Sequence, residues 1–451
     1  MEAKTDILVI GGGITGLSIA YLAARSGRSV TILESGEKLG GLLDTFEIGG
    51  AQLEKFYHHF FLHDQELHWL LNELDLNSRI IYKETSMGVY REDKIYNFNT
   101  LMDLLRFAPL NLFDKLRFGL TSFALGKIFN WRKHEHISAH EWFKKWSGQN
   151  VTSTIWEPLL RVKFGSHYKD VPLAWMIGRL GQRLNSRKDG REMLGYLDGS
   201  LQVLNDQLTQ KLKSMGVQIH TSSPATGLIQ RDDRIVGVVS KQKKFEAENV
   251  IATVPNHVIA NLVDPIDKAF SRKLNEVEYF GAVCTVLELD RPLSNIYWLN
   301  IADVNFPFGG VIEQTNLIAP ENYGNRNIAY LSRYFTKDEE IATMDEASLK
   351  QLMLNGVEKA FPTFKQEDLR SVHVFRTNTA ATVCDLNFSS KVKKCQSYIS
   401  GFTVANMMHI YPDERSVNNA IRVAANICSS LGIDCMDVPN GNSLSGEIGI
   451  N

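Results

Sequence analysis

Cysteine is scarce in this chain: there are five among 451 residues, an odd number, and no CxxC pair occurs. That pattern excludes a disulfide framework and fits the thiols of a reducing compartment. Net charge is nearly absent too, because 49 basic and 51 acidic residues leave a formal charge of -2. A dedicated nucleic-acid binder carries a basic excess, so that class is excluded. No uncharged apolar run approaches the roughly 18 residues needed to cross a bilayer. The polar lead Met1–Asp6 has no basic start, apolar core or small-residue cleavage site, so no secretion signal is expected. These absences predict a cytoplasmic protein. What is present is a globular composition, 44% hydrophobic and 22% charged, in a chain long enough for two or three domains.

DILVIGGGITGLSIAYLAARSGRSVTILES is the most informative stretch. Ile7–Ile10 reads as a strand buried on both faces. Gly11-x-Gly13-x-x-Gly16 follows, then helix formers from Leu17 to Ser26, a second apolar strand from Ser29 to Leu33, and Glu34. Gly11 permits a tight turn, Gly13 lets backbone approach a pyrophosphate, and Gly16 lets the helix pack on the strand. The helix start turns its positive end to the phosphates, and Glu34 arrives where a carboxylate accepts hydrogen bonds from a ribose. The stretch predicts dinucleotide binding, with Ile14, Thr15 and Ser35 beside the glycines and the acid as further contacts.

A second glycine pair, Gly40–Gly41, follows the acid and precedes Leu42. This run resembles the extended FAD fingerprint of the flavin amine oxidase and protoporphyrinogen oxidase superfamily, in which the pair lets the loop pass close to the cofactor. Two later passages resemble the same superfamily in order. One is Gly195–Ser240, read as a glycine turn, an amphipathic helix, a strand and a hairpin. There the resemblance implies that Ala225 meets adenine through its backbone, although the family more often has valine at that place and a glycine where this chain has Ser200. The other is Tyr398–Gly432, where a helix from about Ser416 to Leu431, N-capped by Ser416, would aim its positive end at the flavin pyrimidine ring. Arg415 and Val417 flank that cap.

The resemblance implies an α/β fold: a FAD-binding Rossmann-like domain of the glutathione reductase type, assembled from 1–65, 195–265 and 390–440. An α+β substrate domain would be inserted at 66–194, mainly helical, and at 266–389. WEPLLRVKFG, FPFGGVIEQTN and ANMMHIYPDERSVNNAIR look like a protoporphyrinogen-oxidase-like branch found in bacteria and archaea.

EKFYHHFFLHD, residues 54–64, follows the first cofactor segment. Three readings stand. His59 and His63, four apart, share a helix face and bind a metal with Asp64 or Glu54. Alternatively the segment packs a domain junction. In the third reading its aromatic residues wall the flavin and leave a histidine as donor or proton shuttle. His59-Phe60-Phe61-x-x-Asp64 is similar to a short run in UDP-galactopyranose mutases, where the histidine lies against the flavin. His59 is therefore the catalytic candidate, His58 its neighbour at the substrate, and no metal is expected.

In the second insertion, Glu313 and Asn316 are candidates for the pocket ceiling, and Arg333 and Tyr334 end a strand where they would face a ligand. Residues 98–131 are apolar over a wide arc, with Arg106, Lys115, Arg117, Lys127 and Arg132 interleaved. Such a helix is read first as buried on two sides in the substrate domain. The alternative is peripheral contact with an anionic membrane surface, at the inner face of the membrane.

The function the resemblance implies is FAD-dependent oxidation, with hydride passing from a small or hydrophobic organic substrate to flavin N5. The alternative is a reduced-flavin sugar-nucleotide mutase resembling UDP-galactopyranose mutase. That would need phosphate-binding arginines, for which Arg161, Arg333 and Arg376 are candidates.

Overall fold

The computed structural model describes residues 4–188 and 191–439. Residues 1–3 and 440, the outer ends of two expected cofactor segments, therefore lie outside the described residues, as does the tail to 451.

The N-terminal run ILVI is fully buried because it lies in the middle of a seven-stranded sheet. Thr5–Ile10 pairs in parallel with Val30–Leu33 on one side and with Lys243–Ala252 on the other. Gln218–His220 extends the first edge. The far half of Lys243–Ala252 pairs in parallel with Phe402–Val404, and its near half joins the hairpin Ala225–Arg231/Arg234–Ser240. Three stretches separated by about 150 residues or more thus meet in one sheet. Helices Ile14–Arg25 and Val417–Ser430 pack together, with Leu17, Leu22, Ile421 and Ile427 in a shared apolar core.

A second seven-stranded sheet has the order Leu369–Thr382, Tyr279–Leu289, Asn327–Phe335, Gly310–Glu313, Trp298–Ile301, Met87–Arg91, Lys94–Asn97. Its last two strands come from the first insertion, which is otherwise rich in helices. Trp298–Ile301 lies parallel to Met87–Arg91, and that pairing joins the two insertions into one body. Helix Glu157–Phe164 packs on strands Asn327–Phe335 and Trp298–Ile301 of this sheet, and helix Leu173–Asn185 packs on helix Leu112–Lys127.

The expectation of burial for 98–131 is overturned. Helix Leu112–Lys127 turns Leu112, Phe113, Leu116, Leu120 and Phe123 outward, all more than half exposed. The residues outside that stripe do the packing: Leu125 is buried, and Phe118 lies 5.1 Å from the Trp156 ring. Both faces are apolar, so periodicity predicts the helix but not the side that faces the core.

Candidate active site

The glycine turns are held by contacts that leave no room for side chains. Gly11 has φ +107°, and a Cβ there would stand 2.6 Å from Thr253 Oγ1. A Cβ at Gly16 would stand 2.1 Å from the Gly11 carbonyl oxygen, so only glycine brings the helix this close. The second glycine pair is tied to the first: the Gly40 N–H donates to the Gly12 carbonyl at 2.8 Å, and Asn205 Nδ2 donates to the Leu39 carbonyl at 2.9 Å. Glu34 closes the ring of contacts. Its carboxylate accepts from the Gly12 and Gly36 N–H groups, each at 2.7 Å, and from the Ser35 hydroxyl at 3.1 Å. Two carboxylate oxygens offer about four acceptor sites, so capacity remains for ribose hydroxyls.

One glycine differs. Gly13 has an ordinary φ of -74°, and a Cβ there would meet nothing within 4 Å. The space above it is therefore kept clear by the fold and is not needed for packing, as the close approach of a pyrophosphate requires. The start of helix Val417–Ser430 lines the same cavity, and its cap is Ser416 with Oγ accepting from the Asn419 N–H at 3.1 Å.

A cavity of about 1010 Å³ runs from this cradle into the substrate domain. Gly11, Gly13, Ile14 and Thr15 line it, as do Glu34 and Ser35, the second glycine pair with Leu42, and Arg415 to Val417. The structure thus brings together the expected cofactor residues with two exceptions. Gly16 acts behind the cradle, in helix packing. Ala225 begins a hairpin strand paired with Ser240 and is not on the cavity wall.

His58 and His59 lie on the wall, in an extended stretch and not on a helix. The helix begins only at Gln65, so His59 and His63 share no helix face, and among the described residues no three His, Cys, Asp or Glu side chains gather to hold a metal. Glu54 is turned away from the histidines: buried, it accepts from the Tyr196 hydroxyl at 2.5 Å and the Leu201 N–H at 2.6 Å. Asp64 accepts from the Phe61 N–H at 2.8 Å. His59 Nδ1 sits 3.1 Å from the Tyr297 hydroxyl, and its ring stands edge-on to Phe61, Tyr297 and Trp298. Burial, reinforced by Arg183, pushes the His59 pKa down to about 3, and burial with Arg415 takes His58 to about 4. Both are neutral at neutral pH. Each can donate or accept a hydrogen bond there, and neither is a cation.

The positive charge of the chamber comes from residues far apart in the chain. Beyond the cradle, which includes Arg415, and the Lys55–Asp44 pair, Lys163, Arg179, Arg183 and Arg376 share the wall with only Glu192 and Glu414. Glu414 pairs with both Lys163 and Arg179, and Glu192 with Arg183 at 2.5 Å, so two positive charges are in excess. Burial, with Arg183 close by, lowers the Arg179 pKa to about 10. Arg415 Nη2 donates to the Tyr334 hydroxyl at 3.1 Å, and Tyr334 lines the cavity as expected.

Three expected residues stand elsewhere. Glu313 is not at the ceiling; it is buried and accepts from the Leu293 N–H at 2.9 Å and the Ser294 hydroxyl at 2.6 Å. Asn316 Nδ2 donates to the Ser294 carbonyl at 3.2 Å, bracing the same turn. Arg333 points away and pairs with Glu339 at 2.6 Å. Arg161 is likewise held, by Glu157 at 2.8 Å and over the Tyr168 ring at 3.8 Å, which leaves Arg376 as the one of the three proposed phosphate arginines on the wall. A signal for Arg179 and Arg183 was in the sequence: two arginines four apart on a helix otherwise apolar on that side, beside Trp175, Met176 and Leu180.

The family profile of flavin containing amine oxidoreductases matches residues 14–383. The chain is 24% identical over 279 residues to the flavin-containing amine oxidase A of Canis lupus familiaris, covering 57% of this chain and 51% of that protein. It spans about half the length of the curated relatives it matches. Among solved structures, a protoporphyrinogen oxidase candidate from Exiguobacterium sp. 255-15 superposes with a TM-score of 0.75 at 16% identity, over 96% of this chain and 99% of that one. A reduced UDP-galactopyranose mutase superposes with a TM-score of 0.75 at 14% identity, over 98% of each chain. These two likenesses concern the fold alone. With a profile match over most of its length and a cradle whose clear space suits the cofactor, the chain belongs to the flavin containing amine oxidoreductases, and FAD is its cofactor.

Proposed function

We infer that the protein oxidises an organic substrate that carries a negatively charged group. The observation that supports this most is the single cavity joining the glycine cradle to a chamber with an excess of two positive charges. Gly11, Gly13 and Glu34 with the Ser416-capped helix would hold FAD, which supplies the two-electron acceptor when bound. The rest is done by side chains. Tyr57 and Trp298, edge-on at 5.0 Å, and the neutral His58 and His59 orient an apolar or planar group. Arg179, which shares a single carboxylate with Lys163, attracts the anionic group, with Arg183 beside it, in a partly buried setting where charge interactions are stronger than in water. The walls keep water from the reacting bond, and His59 is available to accept or return a proton as a neutral imidazole.

The test is anaerobic mixing of the holoprotein with a panel of carboxylated and phosphorylated reductants, following the bleaching of the visible flavin band. Bleaching by anionic members that is lost on Arg179→Gln supports the reading. Equal bleaching by neutral and anionic members contradicts it.

The excess of arginine also favours a second reading, isomerisation of a sugar nucleotide by the reduced enzyme. Reducing the protein, adding UDP-sugars and finding isomer with no change in flavin oxidation state would favour that alternative over net oxidation.

A further inference from the structure

Among the described residues, nine of the sixteen large apolar side chains standing at the surface fall within residues 101–128. Eight come from two neighbouring helices, Leu101–Arg106 and Leu112–Lys127, and the ninth, Ile128, caps the second; Leu101 and Leu112 are more than 70% exposed. A patch this concentrated needs an occupant. Residues 101–133 carry six basic and two acidic side chains, in a chain whose net charge is -2. Both acids are engaged locally. Asp103 accepts from the Thr100 N–H at 2.8 Å in a capping box, and Asp114 is buried and accepts from Asn150 Nδ2 at 2.7 Å. The rim therefore presents positive charge. Trp146, half exposed, stands beside it, with its carbonyl accepting from Arg117 Nη2 at 2.8 Å.

Apolar side chains ringed by lysine and arginine with a tryptophan at the edge match an anionic bilayer surface. A second copy of the chain fits less well, because a two-fold contact would set the same positive rims against each other. The cavity reaches this patch. Leu101 and Phe123 belong to the exposed face and also line the cavity, together with Leu104, Phe118 and Gly119. Arg179 and Arg183 line the same cavity.

We propose that this face docks on an anionic lipid surface and that the substrate is an amphiphile, drawn from the lipid between Leu101 and Phe123, with its anionic head at Arg179 and Arg183. The proposal rests on the reading of the chamber as the place of oxidation, and it extends that reading to where the substrate comes from. Gly119 provides a way to close the passage, because a Cβ there would meet nothing within 4 Å and the residue lies within a helix.

The experiment uses the full chain with flavin bound. Flotation with vesicles of phosphatidylcholine alone, or mixed with phosphatidylglycerol, is measured at low and high salt. Displacement of a dansylated long-chain fatty acid reports occupation of the cavity. The wild type should float with the anionic vesicles only and release with salt. Leu116→Glu/Leu120→Glu should cut the floated fraction at least tenfold with flavin content unchanged. Gly119→Leu should float like the wild type but bind the fatty acid at least tenfold more weakly. Failure of the wild type to float at low salt would overturn the proposal, as would a dimer in solution that Leu116→Glu/Leu120→Glu dissociates, or fatty-acid binding unaffected by Gly119→Leu. Flavin bleaching by a soluble anionic reductant in a protein that does not float would remove this inference and leave the oxidation reading intact. Flotation without such bleaching by any anionic member would remove the oxidation reading, and with it the amphiphile as substrate, and leave only the docking of this face on lipid.

Discussion

Substituting alanine at Gly13 and at Gly16 separates the work glycine does for the cofactor from the work it does for the fold. Gly13 has φ -74° and ψ 173°, which alanine adopts freely, and its Cβ would meet nothing in the protein. Two small effects then oppose each other in the flavin-free protein. Alanine narrows the unfolded ensemble, which stabilises by roughly 0.4–1 kcal/mol. It is also a poorer N-cap than glycine, which costs about 0.5–1 kcal/mol. The net change is within about 0.5 kcal/mol of zero. The methyl group projects into the space that the pyrophosphate needs, so flavin affinity should fall at least tenfold, which is about 1.4 kcal/mol. At Gly16 the order reverses. A Cβ would stand 2.1 Å from a backbone oxygen, so the helix must move by more than an ångström. Overpacking of that kind costs typically about 1–3 kcal/mol in the flavin-free chain itself. Urea melts of the flavin-stripped proteins and flavin-fluorescence titrations give both numbers. If Gly13→Ala destabilised the stripped protein as much as Gly16→Ala, or bound flavin like the wild type, the assignment of that space to the cofactor would be wrong.

Arg422 is buried between Glu66 and Asp413, joining helix Gln65–Glu73 to the C-terminal helix. Arg422→Ala leaves two carboxylates without their cation and should cost about 3–5 kcal/mol in a denaturant melt. Arg422→Met combined with Glu66→Met should recover part of that loss. Burial raises the Asp64 pKa from 3.8 to about 7. The folded state therefore holds this proton more tightly, and the stability it contributes is fully present below about pH 4 and is lost as pH rises toward 7. Asp64→Asn should remove that slope, so the difference between wild-type and variant stability curves falls across this window and is flat above it. His58 and His59, whose folded pKa values are lowered, give the opposite slope below 6.5 and cancel in the difference. A flat difference curve from pH 4 to 7 would show that Asp64 titrates normally.

The cradle was legible because backbone geometry dictates its residues. Gly11 and Gly40 have φ values of +107° and +117°, and Glu34 must reach two N–H groups across the turn. Even the departure at Ser200 marks such a place: it sits at φ +70°, where the resembling family more often has glycine. The helix after Ser416 was equally plain from its cap. The chamber was not legible, because its charges become neighbours only in the folded chain. Glu414 reaches back to Lys163 and Arg179 from the far end of the chain, and nothing local to any of the three announces the meeting. Strands Met87–Arg91 and Lys94–Asn97 were missed for a related reason: they complete a sheet built mainly from the second insertion. Glu313 and Asn316 misled because polar residues at a strand end can equally well brace a turn, as they do at Leu293–Ser294. The stripe at 112–123 was recognisable as helical, but an apolar arc on both sides carries no sign of which side meets the core.

The most direct measurement is the flavin content of the purified protein after denaturation, identified by chromatography and set against chain concentration. The account predicts one FAD per chain, or full uptake of one FAD when an emptied preparation is reconstituted. A chain that is folded by circular dichroism yet takes up no FAD, or that holds only FMN and leaves the Glu34 end of the cradle without a ribose, would contradict it.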